Sequence, residues 1–380
     1  MELFSTAWGD FDLVRFPEDR RGLLRAWDAA DAYLLRWLAD AGGVKGEPVV
    51  VGDRWGALTT ALAGFGVTQV GDSFTAQEAT RVNLRRNGVD PDAVRLLASR
   101  DVPPGRVDTL VVRVPKSLAL LEDQLCRLAP SVHAETLVVG TGMVKEIHTS
   151  TLALFERIIG PTRTSLAEKK ARLIFSTPGP GVAPQHSPWP RSYELPGGVG
   201  AVSGRTVIEH AGVFSAERLD AGTRLLLENL PRRGGPEHVV DLGCGNGVVG
   251  LAAALGNPEA RVTFVDESFQ AVASAEATYR ANVPEGGDAE FVVGDGLAGF
   301  ARGSVDLVLN NPPFHSHQAT TDETAWRMFT GSRAALRPGG ELWVVGNRHL
   351  GYHVKLKRIF GNCEVVSGNR KFVVLRAVRR

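Results

Sequence analysis

Short apolar runs alternate with amphipathic stretches from one end of the chain to the other. In the first half the pattern predicts a helix over Gly22–Leu38, a strand within Glu47–Gly56 and a helix over Ala57–Ala63. Gln69–Asp72 reads as a strand, Ala76–Arg86 as a helix, Asp108–Lys116 as a strand and Leu118–Leu128 as a helix. Glu135–Val139 (strand), Lys145–Leu166 (helix) and Lys170–Ser176 (strand) close that half. The second half repeats the rhythm. A lead-in hairpin over Ser192–Val207 and a helix over Arg224–Leu230 precede the apolar run Val239–Leu242. A helix from Val248 to Leu255 follows, then strands over Arg261–Asp266, Glu290–Val293 and Leu307–Asn310. A helix over Thr321–Leu336, a strand over Gly340–Gly346 and a basic helix over Leu350–Phe360 come next. Cys363–Ser367 and Lys371–Val378 read as a closing hairpin. Unbroken apolar strands separated by helices mark a buried parallel sheet, so the fold class is α/β.

The two halves also resemble each other. Val49-Val-Val-Gly-Asp53 parallels Val239-Val-Asp-Leu-Gly243, Asp108–Pro115 parallels Asp306–Pro313, and Thr136–Gly140 parallels Leu342–Gly346. The first copy reads Gly-Asp-Arg-Trp-Gly at its loop and Val-Arg-Val-Pro-Lys at its fourth strand, with bulky groups where the second has glycines and Asn-Pro-Pro. An internal duplication with a degenerate N-terminal copy is the simplest account. Residues 1–177 form that copy, 178–191 a Pro-, Gly- and Ser-rich linker, and 192–380 the second domain.

Length and composition suit two globular domains, and no apolar run reaches membrane-spanning length. Three widely separated cysteines, Cys126, Cys244 and Cys363, suggest a reducing, cytoplasmic setting and neither a disulfide nor a metal site. The net charge is only +1, but it is unevenly spread. Residues 347–380 carry nine Lys and Arg against one Glu, a basic end able to meet phosphates. In the first half, Arg81, Arg85, Arg86, Arg113 and Lys116 are further candidates for RNA contact.

The candidate chemistry lies between Val239 and Phe314. Gly243, Gly245 and Gly247 let a turn approach a ligand closely ahead of a helix N-terminus. The spacing differs from a triphosphate-binding loop and lacks its Lys-Ser/Thr pair. Asp266 ends the next strand, where an acid can accept ribose hydroxyls, and Asp295 follows the third, where one can accept an adenine amine. Asn311-Pro312-Pro313-Phe314 ends the fourth strand. An Asn oxygen beside a proline-fixed carbonyl presents two acceptors to one NH2 group, and Phe314 offers a face for stacking a base.

Val239–Gly247, Asp266, Asp295 and Asn311–Phe314 resemble the motifs of class I S-adenosylmethionine-dependent methyltransferases that modify amino nitrogens. Farther on, Thr321-Asp322, Ala325-Trp326, Gly346–Leu350, Lys355–Cys363 and Lys371–Leu375 resemble the ribosomal RNA guanine-N2 methyltransferases, the large-subunit enzyme more than the small-subunit one. The resemblance implies two tandem Rossmann-like domains, each a mostly parallel seven-stranded sheet with an antiparallel last strand. It implies S-adenosylmethionine as cofactor, held by Asp241, Gly243, Gly245, Asn246, Gly247, Asp266 and Asp295. Asn311, Pro312 and Phe314 would be catalytic, with Phe214 and Asp220 bordering the pocket. The expected partner is ribosomal RNA, without metal or membrane, and the expected state a monomer. Amide methylation of a release-factor glutamine and a non-catalytic RNA-binding or assembly role are the competing readings.

Overall fold

The structure, a computed structural model, describes residues 2–18, 24–179, 186–214, 218–283, 287–313 and 318–380. The chain divides into two compact units, Met1–Trp189 and Pro190–Arg380. In the first, β1 (Phe4–Thr6) and β2 (Gly9–Phe11) form a small hairpin, followed by α1 (Ala29–Asp40), β3 (Pro48–Val51) and α2 (Ala57–Ala61). Then come β4 (Thr68–Gly71), α3 (Phe74–Arg86), β5 (Arg95–Ala98), β6 (Val107–Arg113) and α4 (Leu118–Leu128). β7 (Val132–Met143), α5 (Thr149–Ile158), β8 (Thr162–Thr164) and β9 (Ala171–Ser176) complete it.

The second unit opens with the hairpin β10 (Arg191–Glu194) and β11 (Thr206–Glu209), then α6 (Ala221–Leu227). β12 (His238–Leu242), α7 (Val248–Gly256), β13 (Arg261–Asp266), α8 (Phe269–Asn282) and β14 (Ala289–Val293) follow. β15 (Val305–Asn310), α9 (Gln318–Ala335), β16 (Leu336–Asn347), α10 (Tyr352–Phe360), β17 (Glu364–Gly368) and β18 (Phe372–Val378) end the chain.

Each unit is built on a seven-stranded sheet, ordered β5-β4-β3-β6-β7-β9-β8 in the first and β14-β13-β12-β15-β16-β18-β17 in the second. The two orders are the same arrangement repeated. The first five strands of each run parallel and the last pair is antiparallel. In both sheets the order reverses beside the first core strand, which opens a crevice at the carboxyl ends of β12 and β15 and of β3 and β6.

Helices cover both faces of the second sheet. On one, Phe264 is fully buried, stacked on Phe291 with centroids 5.0 Å apart, and lies under α7. A Cβ on Gly250 would meet the Phe264 ring at 2.3 Å, so the helix seats on the sheet only because position 250 has no side chain. On the other face Phe329, Tyr352, Leu356 and Phe360 cover β16 and β18, with Phe329 and Tyr352 edge to face. Truncating a buried ring such as Phe264 to alanine costs about 3–5 kcal/mol.

Several element boundaries differ from the sequence reading, each for a local reason. α1 starts at Ala29 because Asp28 forms a capping box with Asp31. α5 ends at Ile158, and Thr162–Thr164 leaves it to pair with β9 as β8, so no helix runs to Leu166. α6 starts at Ala221 because the Asp220 carboxylate accepts from the Thr223 amide at 2.9 Å.

Candidate active site

The glycine loop is a turn from β12 into α7 with left-handed backbone at Gly243 (φ 72°), Gly245 (φ 54°) and Gly247 (φ 78°). A side chain at 247 would strike Ala275 Cα at 2.7 Å, whereas nothing lies within 4 Å of a Cβ at 245. Gly247 is therefore required by packing, and Gly245 leaves room on the crevice side. The Gly243 and Cys244 amides both donate to the Val265 carbonyl, at 2.8 and 3.0 Å.

Asp266 binds the middle of the loop. Its Oδ2 accepts from the Gly245 amide at 3.0 Å and its Oδ1 from the Ser268 amide at 3.0 Å. Burial pushes its carboxyl up to about 6, and those two amides pull against that rise. Each oxygen keeps a second lone pair for another donor. Asp241 sits below, buried, with Oδ2 accepting from the Gly250 amide at 2.7 Å. Burial pushes its carboxyl up to about 8, the Gly250 amide pulls it back, and the Asp266 charge adds to the rise. Asn246 donates from Nδ2 to Glu209 Oε1 at 3.1 Å, tying the loop to β11. Cys244 is buried and its thiol is pushed far up by desolvation, which makes it inert filler. After β14, open space surrounds the Cβ positions of Gly294 and Gly296, while Asp295 between them is paired with Arg327 of α9.

The end of β15 faces this loop. Leu242 and Asn310 are partners across the parallel pair, so Gly243 and Asn311 leave the sheet side by side. A Cβ on Gly243 would lie 4.0 Å from the Asn311 carbonyl oxygen. Asn310 is fully buried and spans the strand ends, donating from Nδ2 to the Leu242 carbonyl at 2.7 Å. Asn311 donates from Nδ2 to Thr223 Oγ1 at 2.9 Å, and its Oδ1 is buried without a hydrogen-bond partner among the described residues. Pro312 is buried and Pro313 exposed. Phe314, His315 and His317 lie outside the described residues. No group of three or more His, Cys, Asp or Glu among the described residues is arranged to hold a metal, and no helix there is long and apolar enough to cross a membrane.

Two family descriptions match the chain, "RLMG N-terminal domain" over residues 1–180 and "Methyltransferase small domain" over residues 204–376. The ribosomal RNA large subunit methyltransferase G of Streptomyces avermitilis is 70% identical over 377 residues, covering 99% of both chains. The chain belongs to the ribosomal RNA large subunit methyltransferase G family. The Pseudomonas aeruginosa PAO1 member is 48% identical over 379 residues, covering 99% of this chain and all of its own. Among solved structures, the T. thermophilus 16S rRNA guanine-N2 methyltransferase RsmC, in complex with AdoMet and guanosine, superposes with a TM-score of 0.78. It covers all of this chain and 98% of its own at 21% identity, a likeness of fold across both units.

Within this chain the two crevices can be compared position by position. The Gly52 amide donates to Val70 O at 2.9 Å as Gly243 does to Val265 O, and Gly56 caps α2 as Gly247 caps α7. Gly52, not Asp53, is thus the counterpart of Gly243, one residue from the register read in the sequence. Likewise Val138 pairs with Leu110 as Leu342 pairs with Val308, so the β7 parallel shifts by two. In the corrected register Arg54 stands at the position of Gly245, and Gly71 at that of Asp266.

Arg113 follows Val112 as Asn311 follows Asn310. It is buried at 1% exposure and bonded to Asp28 (2.5 Å), Asp31 (3.1 Å) and Glu146 (3.3 Å). Arg54 joins the cluster through Glu146 at 3.0 Å. The reading of Arg113 as an RNA contact is therefore wrong: three carboxylates from elsewhere in the unit enclose it. Arg81 is paired with Glu78 and Arg86 with Asp12, while Arg85 and Lys116 stay exposed.

Proposed function

We propose that this chain transfers a methyl group from S-adenosylmethionine to the exocyclic N2 amine of a guanine in large-subunit ribosomal RNA. The observation that carries the reading is the Asn311 Oδ1, a buried acceptor at the end of β15 without a partner among the described residues. An unsatisfied buried acceptor costs about 1–3 kcal/mol unless something occupies it. Asn311 Oδ1 and the Pro312 carbonyl are the two acceptors for the amine hydrogens, and Phe314 is the stacking face for the base.

The cofactor fits the residues present. Gly245 leaves space where a side chain would intrude, Asp266 retains lone pairs for ribose hydroxyls, and Asp295, paired through Oδ1 with Arg327, would use its other oxygen for an adenine amine beside the open flank at Gly294 and Gly296. Asn246 holds the loop in place from β11, and Asp241 supports it from beneath. When bound, S-adenosylmethionine supplies a methyl carbon on a cationic sulfur, which departs as a thioether when the amine nitrogen's lone pair takes that carbon. Asn311 holds the amine hydrogens so that the lone pair points one way; positioning of this kind is worth up to about 7–11 kcal/mol. The proton leaves after the new bond forms, so the site needs no strong base.

The exposed Lys357, Arg358, Arg370 and Lys371 and the half-buried Lys355 are the proposed phosphate contacts. Arg358 lies over the Trp326 ring of α9 at 5.3 Å, which holds that cation beside the helix that follows the site loop, while Lys355 lies over Tyr352 of its own helix at 5.3 Å. The first unit is proposed to be non-catalytic. The free cysteines and the RNA substrate favour a cytoplasmic setting.

The test offers labelled cofactor to large-subunit and small-subunit ribosomal RNA transcripts and digests the products. N2-methylguanosine in the large-subunit RNA is expected. Label confined to the small-subunit RNA would establish the runner-up substrate, and no label in either would favour an assembly role.

A further inference from the structure

We propose that Thr223 is a positioning residue for the reaction, setting which end of the Asn311 amide faces the substrate amine. The inference rests on the reading of Asn311 above. An asparagine amide can turn over, presenting NH2 where an acceptor is needed. A flipped Asn311 would point two hydrogens at a guanine amine and repel it. Something must fix the end, and the group bonded to the Asn311 amide is Thr223.

The Thr223 hydroxyl has one proton. Its Oγ1 lies 3.4 Å from Asp220 Oδ2, a carboxylate that can only accept, so the proton belongs there. The lone pairs of Oγ1 then take the Asn311 Nδ2–H at 2.9 Å. With Nδ2 committed, Oδ1 is left as a buried acceptor with no partner among the described residues. Asp220 anchors the relay, because the same Oδ2 caps α6 through the Thr223 amide at 2.9 Å. The motif Leu219-Asp-Ala-Gly-Thr223 thus acts on a loop 88 residues away by sending one hydrogen bond in a defined sense.

Thr223→Val removes only the hydroxyl. It keeps the branched shape and the backbone amide that Asp220 caps. Single-turnover methylation of a large-subunit RNA transcript, with cofactor and RNA saturating, should slow roughly tenfold, as expected for loss of one oriented hydrogen bond. Thr223→Ser should restore most of the rate. In an Asn311→Ala background the valine substitution should add nothing, because there is no amide left to orient. Thr223→Ala is read in parallel, so the result does not hinge on the folding of one variant. Wild-type rates for Thr223→Val and Thr223→Ala, with Asn311→Ala slow, would overturn the positioning role and leave the amine reading standing. An equal further loss in the Asn311→Ala background would also overturn it, since Thr223 would then act by another route. A wild-type rate for Asn311→Ala would defeat the amine reading and this inference with it.

Discussion

The Gly245 amide donates to Asp266 Oδ2 at 3.0 Å, joining the middle of the glycine loop to the acid at the end of the neighbouring strand. A single carboxylate thereby shapes the turn and faces the crevice. Asp266→Ala is expected to weaken cofactor binding by on the order of 1.5–3 kcal/mol, with RNA binding little changed. Calorimetry measures the first and a filter-binding titration the second. An unchanged cofactor dissociation constant would reduce Asp266 to a loop support.

The same carboxyl sets a pH dependence. Burial raises it to about 6, and its ionised form is the stronger acceptor for hydroxyl donors. Binding below that value requires the proton to leave first. Cofactor affinity should therefore climb between pH 5 and 7, by at most about tenfold per unit, and level off above. Asp266→Asn should bind more weakly and flatten the curve; a curve of wild-type shape in that variant would assign the titration to another group.

Asp241 makes a separate prediction about stability. Its carboxyl titrates at 3.8 when unperturbed and is pushed up to about 8 in the fold. The folded chain thus binds this proton more tightly than the unfolded one. The stability it contributes is complete below the lower value and is lost as pH rises toward the upper, at up to about 1.4 kcal/mol per unit. Asp241→Asn keeps an oxygen for the Gly250 amide and should lessen the fall in thermal midpoint between pH 5 and 8. Identical falls in variant and wild type would clear Asp241 of responsibility.

Cofactor binding should reside in one unit. Residues 190–380 expressed alone are expected to bind S-adenosylmethionine and residues 1–189 are not, because Arg54 and Gly71 replace Gly245 and Asp266. Comparable affinity in the first piece, measured calorimetrically, would contradict that comparison.

Removing Lys355, Lys357, Arg358, Arg370 and Lys371 together should flatten the salt dependence of RNA binding. Each lost phosphate contact lowers the log–log slope by roughly 0.7–0.9. A quintuple alanine variant with the wild-type slope would place the RNA elsewhere.

Much of this was legible in the sequence because it depends on neighbours. Glycines at 243, 245 and 247 specify a left-handed turn, and apolar runs before Asp266 and Asn311 specify buried strands. What escaped depends on residues far apart. Nothing near Arg113 reveals that Asp28, Asp31 and Glu146 enclose it. Nothing near Asn311 reveals Thr223. The start of α6 was readable from Asp220 and its capping offset to Thr223, but the apolar run beginning beyond Arg224 drew the boundary too late. The register between halves slipped by one because consecutive valines carry no phase; the hydrogen bond from Gly52 supplies it.

The Arg113 cluster has a consequence for descent. Restoring a crevice in the first unit would require Arg113, Arg54 and Gly71 all to change. Losing Arg113 alone leaves the buried Asp31 without its cation and Asp28 and Glu146 with Arg54 only, and breaking a buried ion pair in this way costs about 3–5 kcal/mol. A return that begins at Arg113 is thus less stable than the present state. The ion cluster works as a ratchet: once the charges had closed over the old crevice, drift could refine this half as a scaffold but could not readily return it to chemistry.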